Sequence, residues 1–486
     1  MRVVALFGCL LVACVVGEES PRVEGGEEPA RAEGIVTAPR HGDVVDGDTR
    51  TTTIEVAGVH ARPDYRIDVQ VLDDPNIATS WITIGTTVTA SSSETGQYAW
   101  KLLVAPAREV AGRWPAGGIV RVRAIGEGGE TLAVMFHDSD ETAPVTNGMI
   151  LVSPSPTPAE AEVRARFLDR RAAVEVAETI EYYQTIEAPQ TLADFKTRYG
   201  FDATSVPTTF YNAGDLGIGR EMYRGAQAGG GVACYVSNYG TFGGARDIAL
   251  AAAIDGVEAG GSVGSFATVA MVYQPPASAP NSVRFMVYGA NGVLANQAQL
   301  DQYGDNVSVP NNCLNCHGGA RYDADTNAVI GARFLPFDTS GFEFADLPGY
   351  RAADQAPRIH ALNQLVAGTE PTAGIRELIE GFGAMPADEF VAAGWRSNNV
   401  ERKVYSEVVA VACRSCHASL GGSFEFTTAE SFKNFRASIA DSLCGPSGTA
   451  TAHDMPSAEI PLRRLWTTPA RAYLVDYLDI TNACEP

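Results

Sequence analysis

The 486-residue sequence predicts a multidomain protein: an N-terminal β-sandwich, a mixed α/β middle region and a mainly α-helical C-terminal region. Three observations carry this. Between residues 35 and 140, apolar residues recur at every second position in short runs, the period of strands half-buried on one face. A Pro-rich junction from Pro144 to Pro158 then gives way to helix-start signals and to Gly-rich segments. From about residue 306 the chain carries one five-residue pattern twice and closes on a well-signalled helix.

The chain opens as an export signal, Met1-Arg2 followed by an apolar run from Val3 to Val16 that is too short to span a bilayer. Within it, Leu11-Val12-Ala13-Cys14 resembles the bacterial lipobox. That resemblance implies a signal over 1–14, export to the periplasm or outer cell surface, and a lipid anchor to the membrane through Cys14. Residues 15–34 set Glu18, Glu19, Glu24, Glu27, Glu28 and Glu33 among Gly and Pro. Such a segment cannot bury a core and reads as a disordered acidic tether.

Over 35–140, Tyr65, Ile67, Val69 and Val71 alternate with polar residues, as do Tyr98, Trp100, Leu102 and Val104. Thr53–Val56, Trp81–Val88, Val120–Ala124 and Leu132–Phe136 complete about six short strands without helical period. This suggests a sandwich of immunoglobulin-like architecture, although the cysteine pair of antibody domains is missing. His41, His60 and His137 fall inside it and read as structural.

In the middle region, 155–305, Thr157, Pro158 and Glu160 predict a helix start, with the helix continuing to about Tyr183. Thr191 and Asp194 open a second one. Strands are expected at Ala267–Tyr273 and Val283–Tyr288. The stretch from Gly214 to Arg220 is glycine-rich but lacks dinucleotide-binding spacing, and reads as a loop. No catalytic motif stands out here. Further on, Asp323, Asp325 and Asn327 mimic the start of a calcium loop, but Ala328 and Phe334 occupy its required Gly and Glu positions, so a polar turn is expected.

The repeated pattern is C-x-x-C-H, at Cys313-Leu314-Asn315-Cys316-His317 and at Cys413-Arg414-Ser415-Cys416-His417. Composition gives a chance expectation of about 0.002 copies. Two thiols three residues apart share one face of a helical turn, where both can add to the vinyl groups of one porphyrin. The adjacent His can then supply the proximal nitrogen to iron. A C-x-x-C redox pair does not need that His, and the two copies are too distant in sequence to suggest one zinc site. The chain here resembles the c-type cytochromes, specifically a dihaem one. The resemblance covers 306–486 and implies two covalently bound haem c groups held by Cys313, Cys316, Cys413 and Cys416, with His317 and His417 on iron.

What fills the sixth iron position decides between electron transfer and catalysis. Met385-Pro386-Ala387-Asp388-Glu389 with Trp395 follows the first motif, and Met455-Pro456-Ser457-Ala458-Glu459 with Trp466 follows the second. The order repeats, and Met385 and Met455 are the candidate thioether ligands, with His360 and His453 as rivals. The closing helix, capped by Thr468 and opened by Pro469, carries Ala470, Tyr473, Leu474, Tyr477 and Leu478 on one stripe, and resembles the last helix of class I cytochromes c. Of nine cysteines, those outside the signal and the motifs are Cys234, Cys444 and Cys484. Cys444 with Cys484 is one of three pairings open to them.

A net charge of −22 argues against nucleic acid and anionic lipid as partners, and would steer a basic redox protein toward the surface. The expected role is one-electron transfer between periplasmic or cell-surface partners. The alternatives are an enzyme resembling the dihaem cytochrome c peroxidases, or an oxidoreductase with its binding site in 155–305 and the haems as relay.

Overall fold

The computed structural model describes residues 33–43, 53–73, 79–105, 119–137, 139–143, 148–152, 176–299, 307–318, 322–384, 386–444 and 458–480. The lipobox with Cys14, the acidic tether through residue 32, and the helix start at Pro158 lie outside them, as do Met385, His453, Met455 and Cys484.

The period-2 segments are strands: β1 (Gly34–His41), β2 (Ile54–His60), β3 (Arg66–Leu72), β4 (Trp81–Val88), β5 (Tyr98–Val104), β6 (Ile119–Gly126), β7 (Ala133–Phe136), β8 (Thr142–Ala143) and β9 (Met149–Val152). They form a five-stranded sheet in the order β5-β2-β1-β7-β8 and a four-stranded sheet in the order β4-β3-β6-β9. Alternation decides which side chains meet. Val36, Val56, Ile67, Val69, Trp100, Val122 and Val134 are buried in one shared core, while their neighbours in sequence face outward. Each such aliphatic side chain contributes about 1.5–3 kcal/mol by leaving water.

The middle region builds a second sheet. Helix α1 (Val176–Thr185) and helix α2 (Leu192–Arg198), the latter capped by Thr191 Oγ1 accepting from Asp194 N at 3.1 Å, precede β10 (Thr208–Asn212), β11 (Ile218–Ala226) and β12 (Val232–Tyr239). Helix α3 (Arg246–Glu258), β13 (Ala267–Tyr273) and β14 (Val283–Gly289) follow. The sheet order is β14-β13-β12-β11-β10, antiparallel throughout, with the Phe342–Glu343 strand added beside β10. One face packs on α3, so closely that a Cβ at Gly219 would sit 2.1 Å from the Ala249 carbonyl oxygen. Glu221 is buried on that side, accepting from Tyr223, Tyr239 and the Ser262 amide. The opposite face presents Phe210, Arg220, Met222, Cys234, Asn238, Met271 and Phe285 to a cavity.

Beyond residue 306 come α4 (Asn311–His317), α5 (Ala352–Ala367), α6 (Ala373–Ala384) and α7 (Asn399–Val404). The last continues through wider π-type turns over Tyr405–Cys413 into a short turn at Arg414–His417. Then follow α8 (Ala429–Asn434), α9 (Arg436–Cys444), α10 (Glu459–Thr467) and α11 (Ala470–Leu478). None of the described helices is long and apolar enough to cross a membrane.

This architecture corrects the expected fold class. The chain is rich in β-structure, with five sheets among the described residues, and residues 306–486 do not form a separate, mainly α-helical cytochrome region. Short strands at Val307–Ser308, Tyr322–Asp323, Ala328–Val329 and Phe342–Glu343 interrupt this part, and the last is an edge of the middle sheet. One hydrophobic core runs from Tyr182 and Phe285 through Trp395 to Leu474 and Ile480. The physical reason is that the middle sheet has an apolar face that α3 does not cover, and the segments carrying the C-x-x-C-H motifs cover it. The N-terminal sheets are joined to this body as well: Arg121 Nη1 donates to Asp476 at 2.6 Å, and Tyr473 OH donates to the His41 carbonyl at 2.9 Å.

Candidate functional site

The two motifs, one hundred residues apart in sequence, meet in space. Cys316 Sγ and Cys416 Sγ are 3.5 Å apart. Ser419 Oγ donates toward the Cys316 carbonyl at 2.5 Å and the Cys416 carbonyl at 3.0 Å, tying the two segments together. Gly318, which ends α4, has φ 62° and ψ −162°, and the Ser419 backbone closes over it: a Cβ there would lie 2.3 Å from the Ser419 oxygen.

Each motif histidine is held in the same way. His317 Nδ1 donates to the Arg333 carbonyl at 2.9 Å, and His417 Nδ1 donates to the Phe424 carbonyl at 2.9 Å. A carbonyl can only accept, so both rings carry their proton on Nδ1 and keep the Nε2 lone pair free. This is the outer-shell arrangement that orients a metal-ligating His. Phe285 packs on the His317 ring at 5.5 Å and Phe426 stacks on His417 at 4.4 Å. Burial pushes His317 down to about 4, with Arg220 adding to the shift, and lowers His417 too, so both imidazoles are neutral at pH 7. Burial pushes the Cys313 and Cys413 thiols up to about 12. The Cys416 sulfur beside it, together with burial, raises Cys316 as well.

Cys313, Cys316 and His317 line a cavity of about 280 Å³. Its walls are the open face of the middle sheet and the 334–342 segment, mostly apolar through Phe210, Val236, Phe285, Phe334 and Phe337. Cys413 and His417 face a second, apolar cleft of about 40 Å³ between Phe426, Leu462, Leu465 and Leu474. The residues of the first cavity fit a c-type haem, with paired thiols, a neutral imidazole of fixed tautomer and apolar walls; the second cleft has the imidazole, Cys413 and apolar walls, while Cys416 lines the first cavity. The first cavity approaches the roughly 300 Å³ at which cofactor pockets begin, whereas at the second the leucines would have to part.

The second motif is anchored from below. Arg414, 3% exposed, makes a two-pronged pair with Asp338, Nε to Oδ2 at 2.6 Å and Nη2 to Oδ1 at 2.9 Å, and donates to the Ala387 carbonyl at 2.8 Å. Asp338 lines the first cavity, so this ion pair couples the floor of one site to the motif of the other. Trp395 Nε1 donates to the Phe426 carbonyl at 2.8 Å. The Trp that follows the first motif therefore supports the histidine of the second, and the sequence repeat does not correspond to two separate lobes. Ala387, two residues after Met385, likewise contacts Arg414 of the second motif.

His360 is exposed on α5 and lines neither cavity. The side chains of Trp466 and Cys444 are not among those described. Cys234 is buried in β12 and lines the first cavity. The Asp323–Asn327 stretch is the turn of a two-stranded hairpin. Among the described residues, the group bringing three potential metal-ligand atoms within 4.8 Å of one another is Glu33, His60 and Glu130, not the motif cysteines. His60 Nδ1 accepts from Arg62 N at 3.1 Å, which puts the proton on Nε2, the nitrogen facing Glu130 at 3.4 Å. That tautomer suits a hydrogen bond and not a metal.

Sequence reasoning missed Asp215, Arg220, Asn238 and Arg464, all of which line the first cavity. Two of them sit in the Gly214–Arg220 stretch read as a loop. It is the turn and first residues of the β10–β11 hairpin, with Asn212 paired to Ile218. The available signal was the period-2 pattern of Ile218, Arg220 and Met222, which the glycines obscured.

No protein-family model matches the chain, and no curated protein or solved structure is detectably similar to it.

Proposed function

We propose that this protein is a dihaem electron-transfer protein whose two c-type haems are attached side by side. The carrying observation is the contact between the two C-x-x-C-H segments, with Cys316 and Cys416 sulfurs 3.5 Å apart, His317 facing the first cavity and His417 the second cleft. Haem supplies a reversible one-electron iron couple when bound. The chain's own groups do the rest. Cys313 and Cys316, and Cys413 and Cys416, provide the thiols for attachment. The Arg333 and Phe424 carbonyls fix the His317 and His417 tautomers so that Nε2 is the ligand nitrogen. Phe285, Phe337, Phe426 and the leucines of the second cleft exclude water and so favour the less charged state of whatever they surround. Met455 and Met385 are proposed as sixth ligands. A second reading, a reaction site in the first cavity with the second haem as its electron outlet, is favoured by the middle sheet forming that cavity's wall and by the polar groups it sets there.

The test is a pyridine haemochrome assay on the purified exported protein. Two haems per chain are expected, resistant to acid acetone, with Cys316→Ala and Cys416→Ala each losing one. A single haem, or haem that extracts freely, would overturn the reading.

A further inference from the structure

The second motif is split between two cavities. Cys413 and His417 line the second cleft, whereas Cys416 lines the first cavity together with Cys313 and Cys316. Cys416 therefore faces the other motif, and its Sγ stands 3.5 Å from Cys316 Sγ. Cys313 is engaged elsewhere, its thiol donating to Asn312 Oδ1 at 3.2 Å. The backbones hold the facing pair in place. Ser419 Oγ donates toward both cysteine carbonyls, at 2.5 Å to Cys316 and 3.0 Å to Cys416. Just beyond the first motif, the Ser419 backbone closes over Gly318. Arg414, in the same turn as Cys416, is fixed by its two-pronged pair with Asp338. A disulfide needs about 2.05 Å between its sulfurs, so rotation about the two Cα–Cβ bonds has only about 1.5 Å to cover. Joining residues one hundred apart would ordinarily cost the closure of a long loop, and here folding has already closed it.

We propose that Cys316 and Cys416 are a disulfide-forming pair that links the two motifs, oxidised by exchange with a small-molecule or protein disulfide. One cysteine sulfur attacks the incoming disulfide, forms a mixed disulfide and releases the first thiol. The second cysteine sulfur then displaces the other. The Cys316–Cys416 bond forms and the incoming S–S bond breaks. The two electrons and the two cysteine protons leave with the two released thiols. The cross-link consumes one thiol of each motif, so neither motif can complete two thioether bonds, and a single oxidation holds off both haems. That consequence rests on the haem reading above; the cross-link itself does not.

The experiment takes the full-length chain from a host without haem-attachment machinery and treats it with oxidised glutathione. Remaining thiols are alkylated with iodoacetamide, and the unreduced peptides are mapped by mass spectrometry. A Cys316–Cys416 peptide is expected, with Cys313 and Cys413 alkylated and the buried Cys234 unlabelled as the mark of folded chain. The cross-link should be lost when the same treatment is done in urea, and its persistence there would show that the fold does not direct it. Should Cys234 be alkylated without urea, the mapping is repeated on chain exported by a haem-attaching host grown with oxidised glutathione. There the cross-linked fraction should carry fewer haems by haemochrome than the thiol fraction. Within-motif links alone, or four alkylated motif cysteines in both preparations, overturn the proposal. A chain that forms the cross-link yet takes no haem from the haem-attaching host would sink the haem reading and leave this one standing. Two haems with no cross-link in either preparation would do the reverse.

Discussion

Gly318→Ala tests the meeting of the two motifs directly. Gly318 sits at φ 62° and ψ −162°, a region essentially reserved for glycine, where another residue costs about 1–3 kcal/mol. The new methyl would also stand 2.3 Å from the Ser419 carbonyl oxygen and 2.8 Å from its carbon and Oγ. A backbone oxygen cannot rotate away as a side chain would, so the two segments must separate, at about 1–3 kcal/mol for overpacking. Reduced freedom of the unfolded chain returns about 0.4–1 kcal/mol. The net expectation is a loss of about 2–5 kcal/mol, read as a lower urea midpoint. Gly421→Ala is the control: Gly421 has φ 77° and ψ 157°, and nothing lies within 4 Å of where its new methyl would stand, so only the conformational part applies. If Gly318→Ala is no more destabilising than Gly421→Ala, the contact between the motifs is not as described and the argument for adjacent haems fails with it.

Arg414→Gln strands Asp338 in a site where its partner is 3% exposed, so a loss of about 3–5 kcal/mol is expected in urea unfolding, and a loss below about 1 kcal/mol would contradict the pairing. His41 is lowered chiefly by burial, against the opposing pull of Asp476, and its Nδ1 accepts from the Ile150 amide at 3.2 Å. Because its folded value lies below 6.5, its contribution is fully present above pH 6.5 and is lost as pH falls through the folded value. The thermal midpoint of wild type should therefore drop between about pH 7 and pH 5, and His41→Gln should flatten that slope; an equal slope in both would rule His41 out. Cys234 is pushed up to about 12 by burial and should resist iodoacetamide at about pH 8 until the protein is unfolded, as mass spectrometry of the labelled chain would report.

The contact between the motifs has a consequence for partners. If two haems are attached as proposed, a partner need reach only one of them. A surface of net charge −22 would draw basic redox proteins toward whichever edge is open.

The sequence alone determined what is local. Alternation located Trp81–Val88 and Tyr98–Val104 as strands with those bounds, because a period of two needs only neighbouring residues to be read. The caps at Thr191 and Thr428 act within three residues, and the first of these was legible for the same reason. The motif spacing singled out four thiols and two imidazoles as candidates, since attachment to one porphyrin would itself be a local constraint. The order of motif, Met-Pro and Trp suggested two lobes, and there local reading failed. A repeat in sequence carries no information on which copy supports which, and the tertiary structure puts Trp395 beneath His417. Tertiary structure likewise decided that the C-terminal segments close over the middle sheet instead of folding apart. An apolar sheet face needs a cover, and nothing in a strand's own pattern says which distant segment provides it. The polar lining of the first cavity by Asp215, Arg220 and Asn238 is of the same kind: a hairpin and a neighbouring strand place them together, and the pairing of strands is what one-dimensional pattern leaves open.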